Sequence, residues 1–163
     1  MKFTYLKQPL NKYTFKSPKI KEWVESNCSG KTLNLFAGKI KLNADEIRID
    51  LSNEFNPDYV MDAYDFAKMA KEKNMKFDTI ILDPPYAYRK AMELYNGHYS
   101  SKFHLINDLI PFILSLKGKV ISFGYHSVNL GKKRGFETIE ICLIGHGGAQ
   151  HDTIAIIEER INE

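Results

Sequence analysis

Several features that would place this chain outside the ordinary globular proteins are missing from its sequence. Only two of its 163 residues are cysteines, Cys28 and Cys142, and their unrelated contexts exclude a disulfide scaffold or a cysteine-rich zinc module. No apolar run approaches the roughly 20 residues that span a bilayer, and the polar N-terminal segment, interrupted by Pro9, does not resemble a signal peptide. Internal repeats and long linkers are also lacking. We therefore expect a single domain over residues 1–163, located in the cytoplasm and without contact to a membrane.

The chain contains enough apolar material for a core, and its charge is unevenly distributed. Hydrophobic residues make up 44% of it, and a domain of this length buries about 70% of its unfolded surface, so a core can form without disulfides or metals. The net charge is +3, but residues 1–44 hold nine lysines against Glu22 and Glu25, a net +7 that leaves −4 for residues 45–163. A basic end on an acidic body is typical of a polyanion-binding site, and a solvated lysine-rich surface is the alternative.

Periodicity and local signals divide the chain into alternating helices and strands. Residues 1–16 lack periodicity and are predicted to be an N-terminal arm. Ser17 and Pro18 begin a helix. Further helices are predicted around residues 66–70 and 103–114, and strands at residues 33–36, 46–51, 58–61, 77–82, 119–124, 137–144 and 153–158. This alternation predicts an α/β sheet that is mostly parallel, with an antiparallel edge formed by the last two strands.

The strongest strand is the continuous apolar run over residues 77–82, which is typical of a parallel strand covered on both faces. It ends in the tetrad Asp83-Pro84-Pro85-Tyr86. Earlier strand ends carry Phe36-Ala37-Gly38 and Asp50, and Asp62 follows the next strand. Ligands of open α/β sheets bind beyond the carboxyl ends of the strands, so these residues are the candidates for chemistry.

The tetrad contains the groups that methylation of a nucleobase amine requires. An exocyclic amine is a poor nucleophile because its lone pair is delocalised into the ring, and two hydrogen-bond acceptors on its hydrogens direct that lone pair at a methyl donor. The carboxylate of Asp83 and the carbonyl of Pro84 are suitable acceptors, and Pro85 keeps the loop extended. Tyr86 offers a flat face to a base removed from its stack. The alternative is a strand followed by a rigid turn, where Asp before Pro is common.

Residues Leu33–Tyr86, about a third of the chain, resemble the class I S-adenosylmethionine-dependent methyltransferases. The resemblance is closest to those that methylate nucleobase amines of the N6-adenine type, and its specific part is the tetrad. It implies a Rossmann-like class I methyltransferase sheet, S-adenosylmethionine as cofactor, nucleic acid as partner, and a catalytic role for Asp83, Pro84, Pro85 and Tyr86.

The resemblance also implies a set of cofactor-binding residues. Phe36, Ala37 and Gly38 would line the methionine half of the cofactor. Asp50 would accept hydrogen bonds from the ribose, and Asp62 from the adenine amine, with Ala63 against the ring. Ser17 and Pro18 match the segment that closes over the methionine in some adenine methylases. The alternative for Asp50 and Asp62 is a role as loop acids or helix caps.

The chain departs from the family pattern in its first loop. A second glycine usually follows two residues after the first, but here the sequence is Gly38-Lys39-Ile40, and only residues 39–45 separate Gly38 from the next strand. A parallel crossover normally needs a dozen or more residues, usually with a helix. We therefore predict a shortened first crossover, which leaves open a methyltransferase-like module that binds nucleic acid without strong activity.

The substrate remains open between several classes. Adenine in DNA is favoured and RNA is the alternative, while methylation of a protein glutamine amide is disfavoured because that tetrad ordinarily begins with Asn. Site-specific DNA methylases usually carry a separate target-recognition domain, so specificity here would need a homodimer or a separate partner.

Three further segments contain polar residues that are candidates for a site. The loop after the tetrad, with Arg89 and Lys90, suits phosphate contacts. His126 and Ser127 follow a strand end and could contact the substrate or only form a loop. The segment over residues 145–152 contains two histidines and an aspartate, but a glycine-rich turn explains it, and no metal site is predicted.

Overall fold

The computed structural model describes residues 1–85, 98–127 and 129–161, with the backbone alone for residues 98–102. Its strands are β1 (Lys2–Lys7), β2 (Lys31–Asn34), β3 (Asp45–Asp50), β4 (Tyr59–Val60), β5 (Phe77–Leu82), β6 (Leu114–Gly124), β7 (Phe136–Gly145) and β8 (Thr153–Arg160). Its helices are α1 (Pro18–Asn27), α2 (Ala63–Glu72) and α3 (His98–Ile113), with single 3-10 turns at Thr14–Lys16, Asn53–Phe55 and Lys132–Arg134. In these ranges no helix is both long and apolar enough to cross a bilayer.

The strands of the described residues form one mixed sheet in the order β1-β7-β8-β6-β5-β2-β3-β4. The run from β6 to β4 is parallel, β8 lies antiparallel between β6 and β7, and β1 pairs in parallel with β7. All strands except β8 therefore end at the same edge, which we term the carboxyl edge, opposite the amino edge. The predicted sheet, mostly parallel with an antiparallel pair at its C-terminal side, is confirmed.

Both faces of the sheet are covered by helices, as the unalternated apolar run in β5 predicts. Ile80 lies in one core cluster with Phe66 of α2 and Ile110 of α3, whereas the next residue, Ile81, lies in a second cluster with Val24 of α1. All five side chains are fully buried. Each contributes about 1.5–3 kcal/mol of hydrophobic stabilisation relative to an exposed side chain. Because side chains alternate across a strand, β5 anchors both layers.

Helix α1 has the predicted start and the predicted apolar stripe, because Pro18 is its first residue and Ile20, Trp23 and Val24 are buried. The cap differs from the expectation, since the Ser17 side chain accepts no capping hydrogen bond. The backbone N–H of Lys19 donates instead to Oε1 of Gln8, at 3.4 Å. A side chain from the preceding segment thus takes the acceptor role usually filled by the N-cap residue.

The N-terminal arm predicted over residues 1–16 is incorrect in its first part, which forms β1. Thr4 Oγ1 donates to Oε1 of the buried Glu140 on β7 at 2.7 Å, and the strand pairs along its whole length with β7. Phe3 and Tyr5 are 65% and 58% exposed, so the aromatic residues of this edge strand face solvent, whereas Leu6 packs partly against the core. A search of the sequence for strands with alternating buried residues misses β1, because Phe3 and Tyr5 lie on the face that is exposed to solvent.

The shortened first crossover is confirmed, but α3 begins at His98 and not at residue 103, and β6 begins at Leu114 and not at residue 119. Residues 35–44 connect the parallel strands β2 and β3 without a helix. The helix predicted to include Leu114 ends one residue earlier, because Leu114 begins β6 and pairs with Phe77.

Candidate functional site

The order of the strands in the sheet places the candidate residues next to one another along the carboxyl edge. β5, β2, β3 and β4 are consecutive neighbours, and their carboxyl ends lead into Asp83, the Phe36–Gly38 loop, Asp50 and Asp62 respectively. Neighbouring strands are about 4.8 Å apart, so three strand steps span about 14 Å. The structure therefore brings these four strand ends to one continuous edge.

The loop after β2 is tied directly to the end of β3. The N–H of Gly38 donates to Asp50 Oδ2 at 2.9 Å, and the N–H of Ser52 donates to Asp50 Oδ1 at 2.9 Å. The N–H of Ala37 donates to the carbonyl of Ile49, also at 2.9 Å. Asp50 thus has the loop-bracing role that the sequence left as its alternative. Each oxygen of an ionised carboxylate has two lone pairs, so both can still accept a bond from a ligand hydroxyl.

Glu46 and Arg48 also brace this loop, and they share a strand face with Asp50 because they alternate along β3. Oε1 of Glu46 accepts from the N–H of Leu42 at 3.1 Å, and Oε2 accepts from Asn34 Nδ2 at 3.0 Å. Arg48 Nε lies 3.3 Å from Glu46 Oε1, with both side chains 4% exposed. Arg48 Nη2 donates to the carbonyl of Gly38. Side chains of β3 therefore hold the crossover in place of a helix.

Burial raises the pKa of the Glu46 carboxyl above its usual value. Hydrogen bonds from Asn34 and from the N–H of Leu42, together with the Arg48 guanidinium, lower it and only partly offset desolvation. Sequence reasoning missed both Glu46 and Arg48, because charged residues at alternate strand positions usually face solvent. The one available signal was their period-two spacing from Asp50.

Asp62 is the N-cap of α2. Its Oδ1 accepts from the N–H of Tyr64 at 2.9 Å and from the N–H of Asp65 at 3.3 Å, and Ala63 is buried as the first helical residue. The capping alternative is thus correct for Asp62. Its contact with an adenine amine stays a prediction.

The tetrad begins directly after β5. Asp83 is half-buried, Pro84 is buried and Pro85 is exposed. Tyr86, and with it Arg89 and Lys90, lies outside the described residues. Beside this end of β5, β6 ends at Gly124, and the following ring of Tyr125 lies 5.6 Å from that of His151, which precedes β8.

Ser17 and Pro18 are not brought next to Gly38 by any contact that the described residues show. Ser17 instead lines a small cavity of about 30 Å³ with His146, which follows β7, and Thr153, which begins β8. Strands β6 and β5 separate that position from β2. The role of Ser17 and Pro18 in closing over a cofactor therefore remains a prediction.

His146 connects these elements and is not arranged as a metal ligand. Its Nδ1 donates to the carbonyl of Gln8 at 2.8 Å, and its Nε2 pairs with Thr153 Oγ1 at 2.7 Å. Both ring nitrogens are thus used in joining the end of β1 to the start of β8.

The loop after β2 offers room for a ligand. Gly38 has φ +59, and apart from its chain neighbours no heavy atom of the described residues lies within 4 Å of a β-carbon built there. This open side of the loop is close to Asp50, whose carboxylate suits the hydroxyls of a ribose. The acceptor oxygens of Asp50 and the open side of Gly38 are compatible with a ligand that carries hydroxyl groups.

Comparison with solved structures shows the fold. Similar structures include SMU.776, whose crystal structure contains SAH, a SAM-dependent methyltransferase from Agrobacterium tumefaciens, and TrmN from Thermus thermophilus. They share 20%, 16% and 15% identity with this chain, with TM-scores of 0.61, 0.55 and 0.56. No protein-family model and no curated protein matches the chain.

The matches cover 86%, 87% and 89% of this chain but 48%, 59% and 49% of the three solved chains. The chain thus spans about half the length of the structures it matches. The eight strands that the structure describes form a sheet with the Rossmann-like fold found in SAM-dependent methyltransferases.

Proposed function

We propose that this chain is a methyltransferase that uses S-adenosylmethionine to methylate the exocyclic amine of a nucleobase, with adenine in DNA favoured and RNA as the alternative. The observation that carries the proposal is the position of Asp83. It follows β5, whose neighbour β2 leads into the open loop at Gly38, and that loop is fixed to Asp50. The neighbouring positions of Asp83 and of this loop at the carboxyl edge support the proposal that substrate and cofactor meet there.

The roles of the residues follow from this placement. The open side of the Phe36–Gly38 loop would hold the methionine part of the cofactor, Asp50 the ribose and Asp62 the adenine. When bound, S-adenosylmethionine supplies a methyl group on a positively charged sulfur, which keeps the electron pair of the broken S–C bond. Asp83 and the carbonyl of Pro84 would accept the two hydrogens of the substrate amine.

These two acceptors direct the amine lone pair at the methyl carbon, and the N–C bond forms as the S–C bond breaks. The amine then loses one proton through the Asp83 carboxylate to water. Most of the rate enhancement is expected from positioning, because the reacting groups must be held in line at contact distance. Tyr86 would stack on the flipped base.

The decisive assay measures transfer of a labelled methyl group to mixed DNA and RNA. We expect Asp83→Ala to lower transfer at least 100-fold, in the range found for loss of a positioned acid–base group, while cofactor binding persists. Asp45→Ala is the matched control, because Asp45 is an exposed aspartate at the amino edge of the same sheet. Equal transfer by the wild type and Asp83→Ala would remove Asp83 from the mechanism.

A second function is favoured by the short crossover and by the bonds that already engage both Asp50 oxygens. A methyltransferase-like module could bind nucleic acid without transferring methyl groups. Titration with S-adenosylmethionine separates the two, since salt-dependent binding of nucleic acid without any cofactor binding supports the module. We also propose that a second copy of the chain or a separate specificity subunit selects the target sequence. The protein is proposed to act in the cytoplasm.

A further inference from the structure

The segment between β1 and α1 crosses the carboxyl edge of the sheet. Both of its ends lie at His146, because the carbonyl of Gln8 accepts from His146 Nδ1 and Ser17 lines a small cavity with the same residue. In its middle, the ring of Tyr13 packs edge-on against Phe55, with centroids 6.1 Å apart. Phe55 belongs to the connection between β3 and β4, so the segment reaches from the end of β7 to the candidate cofactor side.

Two lysines from different parts of the chain meet at this tyrosine ring. The Nζ of Lys12 lies 5.4 Å from the Tyr13 centroid, and the Nζ of Lys39, the residue after Gly38, lies 5.5 Å from it. Cation–π attraction to the one ring positions both ammonium groups. The two Nζ atoms are therefore at most about 11 Å apart. Successive phosphates of one strand, which rise about 3.4 Å per nucleotide in a duplex, fit within that distance.

The lysines of this region are exposed, and no described ion pair offsets their charge. Lys7, Lys12, Lys16, Lys19 and Lys39 are all exposed, and within the residues that the structure describes none of them forms an ion pair with a carboxylate. The sequence has no acidic residue before Glu22.

Lys16 and Lys19 flank the N-terminus of α1, whose first turn contains no acid. The helix dipole is positive there and disfavours lysines. This arrangement is electrostatically unfavourable in the free protein and becomes favourable when an anion binds.

We infer that Lys12 and Lys39, positioned by Tyr13, bind the phosphates of a single nucleic-acid strand beside the cofactor site. Lys16 and Lys19 extend this phosphate-binding surface along the carboxyl edge. The inference rests on the proposed function for the identity of the ligand, and it assigns the surface that receives the strand. A free carboxylate on the cofactor is the competing anion, and the test separates the two.

The test measures binding of a fluorescent mixed-sequence oligonucleotide, as DNA and as RNA, to the full chain over a range of salt concentrations. In Lys12→Gln/Lys39→Gln we expect affinity to fall about tenfold at low salt and the slope of log K against log salt to fall by about 1.4, since each phosphate contact on a single strand contributes about 0.7. Lys73→Gln/Lys133→Gln removes the same charge from exposed lysines at the amino edge and should change affinity less than twofold.

Tyr13 is tested as a positioning residue by two further variants. Tyr13→Leu should weaken oligonucleotide binding, because the lysines lose the ring that holds them, whereas Tyr13→Phe keeps the ring and should bind like the wild type. Thermal unfolding of each variant confirms that the fold is retained.

The outcomes distinguish this inference from the proposed function. If Lys12→Gln/Lys39→Gln binds the oligonucleotide as tightly as the wild type does, the inference is refuted and the proposed function is not. The same holds if Lys73→Gln/Lys133→Gln weakens binding as much as Lys12→Gln/Lys39→Gln. Cofactor binding by Lys12→Gln/Lys39→Gln is measured by titration with S-adenosylmethionine. Weaker cofactor binding with unchanged oligonucleotide binding would assign the two lysines to the cofactor and would also overturn the inference. Wild type that binds no DNA or RNA would reject the nucleic-acid substrate itself.

Discussion

The substitution Gly38→Ala separates the stability of the loop after β2 from its use as a ligand site. Gly38 has φ +59, a left-handed conformation that costs a residue with a β-carbon about 1 kcal/mol. The N–H of Gly38 donates to Asp50, and its carbonyl accepts from Arg48. Both hydrogen bonds use backbone atoms of Gly38, so the substitution keeps them. For a chain of this length, 1 kcal/mol lowers Tm by about 3 °C.

The new methyl group would extend into the open space in front of the loop, where the methionine part of the cofactor is expected. Contact with a bound ligand should weaken S-adenosylhomocysteine binding at least tenfold, which corresponds to about 1.4 kcal/mol. Isothermal titration with that product measures the affinity, and thermal unfolding measures the stability of the same sample.

Gly135→Ala is the matched control for the backbone effect. Gly135 has φ +81 and, like Gly38, no described heavy atom within 4 Å of an added β-carbon, but it lies before β7 at the amino edge. Both variants should lose similar stability, and only Gly38→Ala should lose affinity. If Gly38→Ala binds the product as tightly as Gly135→Ala, the loop does not face the cofactor and the site is wrongly assigned.

Two further predictions concern buried ionisable groups. Because the pKa of Glu46 is raised in the folded state, the folded protein binds more protons than the unfolded chain just above pH 4.5. The free energy of unfolding should therefore decrease as pH rises through that range. Glu46→Gln should flatten this decrease in denaturant titrations, and parallel pH profiles of the wild type and the variant would contradict the assignment. Burial raises the pKa of Cys28 to about 11 and that of Cys142 to about 12, so native alkylation at pH 8 should be at least about 100-fold slower than in urea. Alkylation is followed by mass spectrometry, and rapid modification of either native thiol would contradict its raised pKa.

The parts of the fold that follow local rules could be predicted from the sequence. The run in β5 had to be covered on both faces, and Ile80 and Ile81 indeed face opposite layers. Pro18 set the start of α1 because its missing N–H costs nothing at the first helical position. β1 could not be predicted in this way, since its pairing depends on β7 and on Glu140, more than 130 residues away.

The candidate site was predicted in outline, and its internal contacts were not. The strand-end rule placed Asp50, Asp62 and Asp83 at the carboxyl edge before the sheet order was known. The buried pair of Glu46 and Arg48 lies beneath a loop that folds over one face of β3, and this burial is a tertiary effect that no local pattern contains. For the same reason the sequence could not show that Tyr13 would meet Lys39.

The place of β8 has a consequence for the nascent protein. Among the described strands β8 is synthesised last, yet it lies between β6 and β7. Until residues 153–160 leave the ribosome, no other described strand links β1 and β7 to β6 by hydrogen bonds. A translation product that stopped before them would expose two unpaired strand edges, which are templates for aggregation and targets for chaperones.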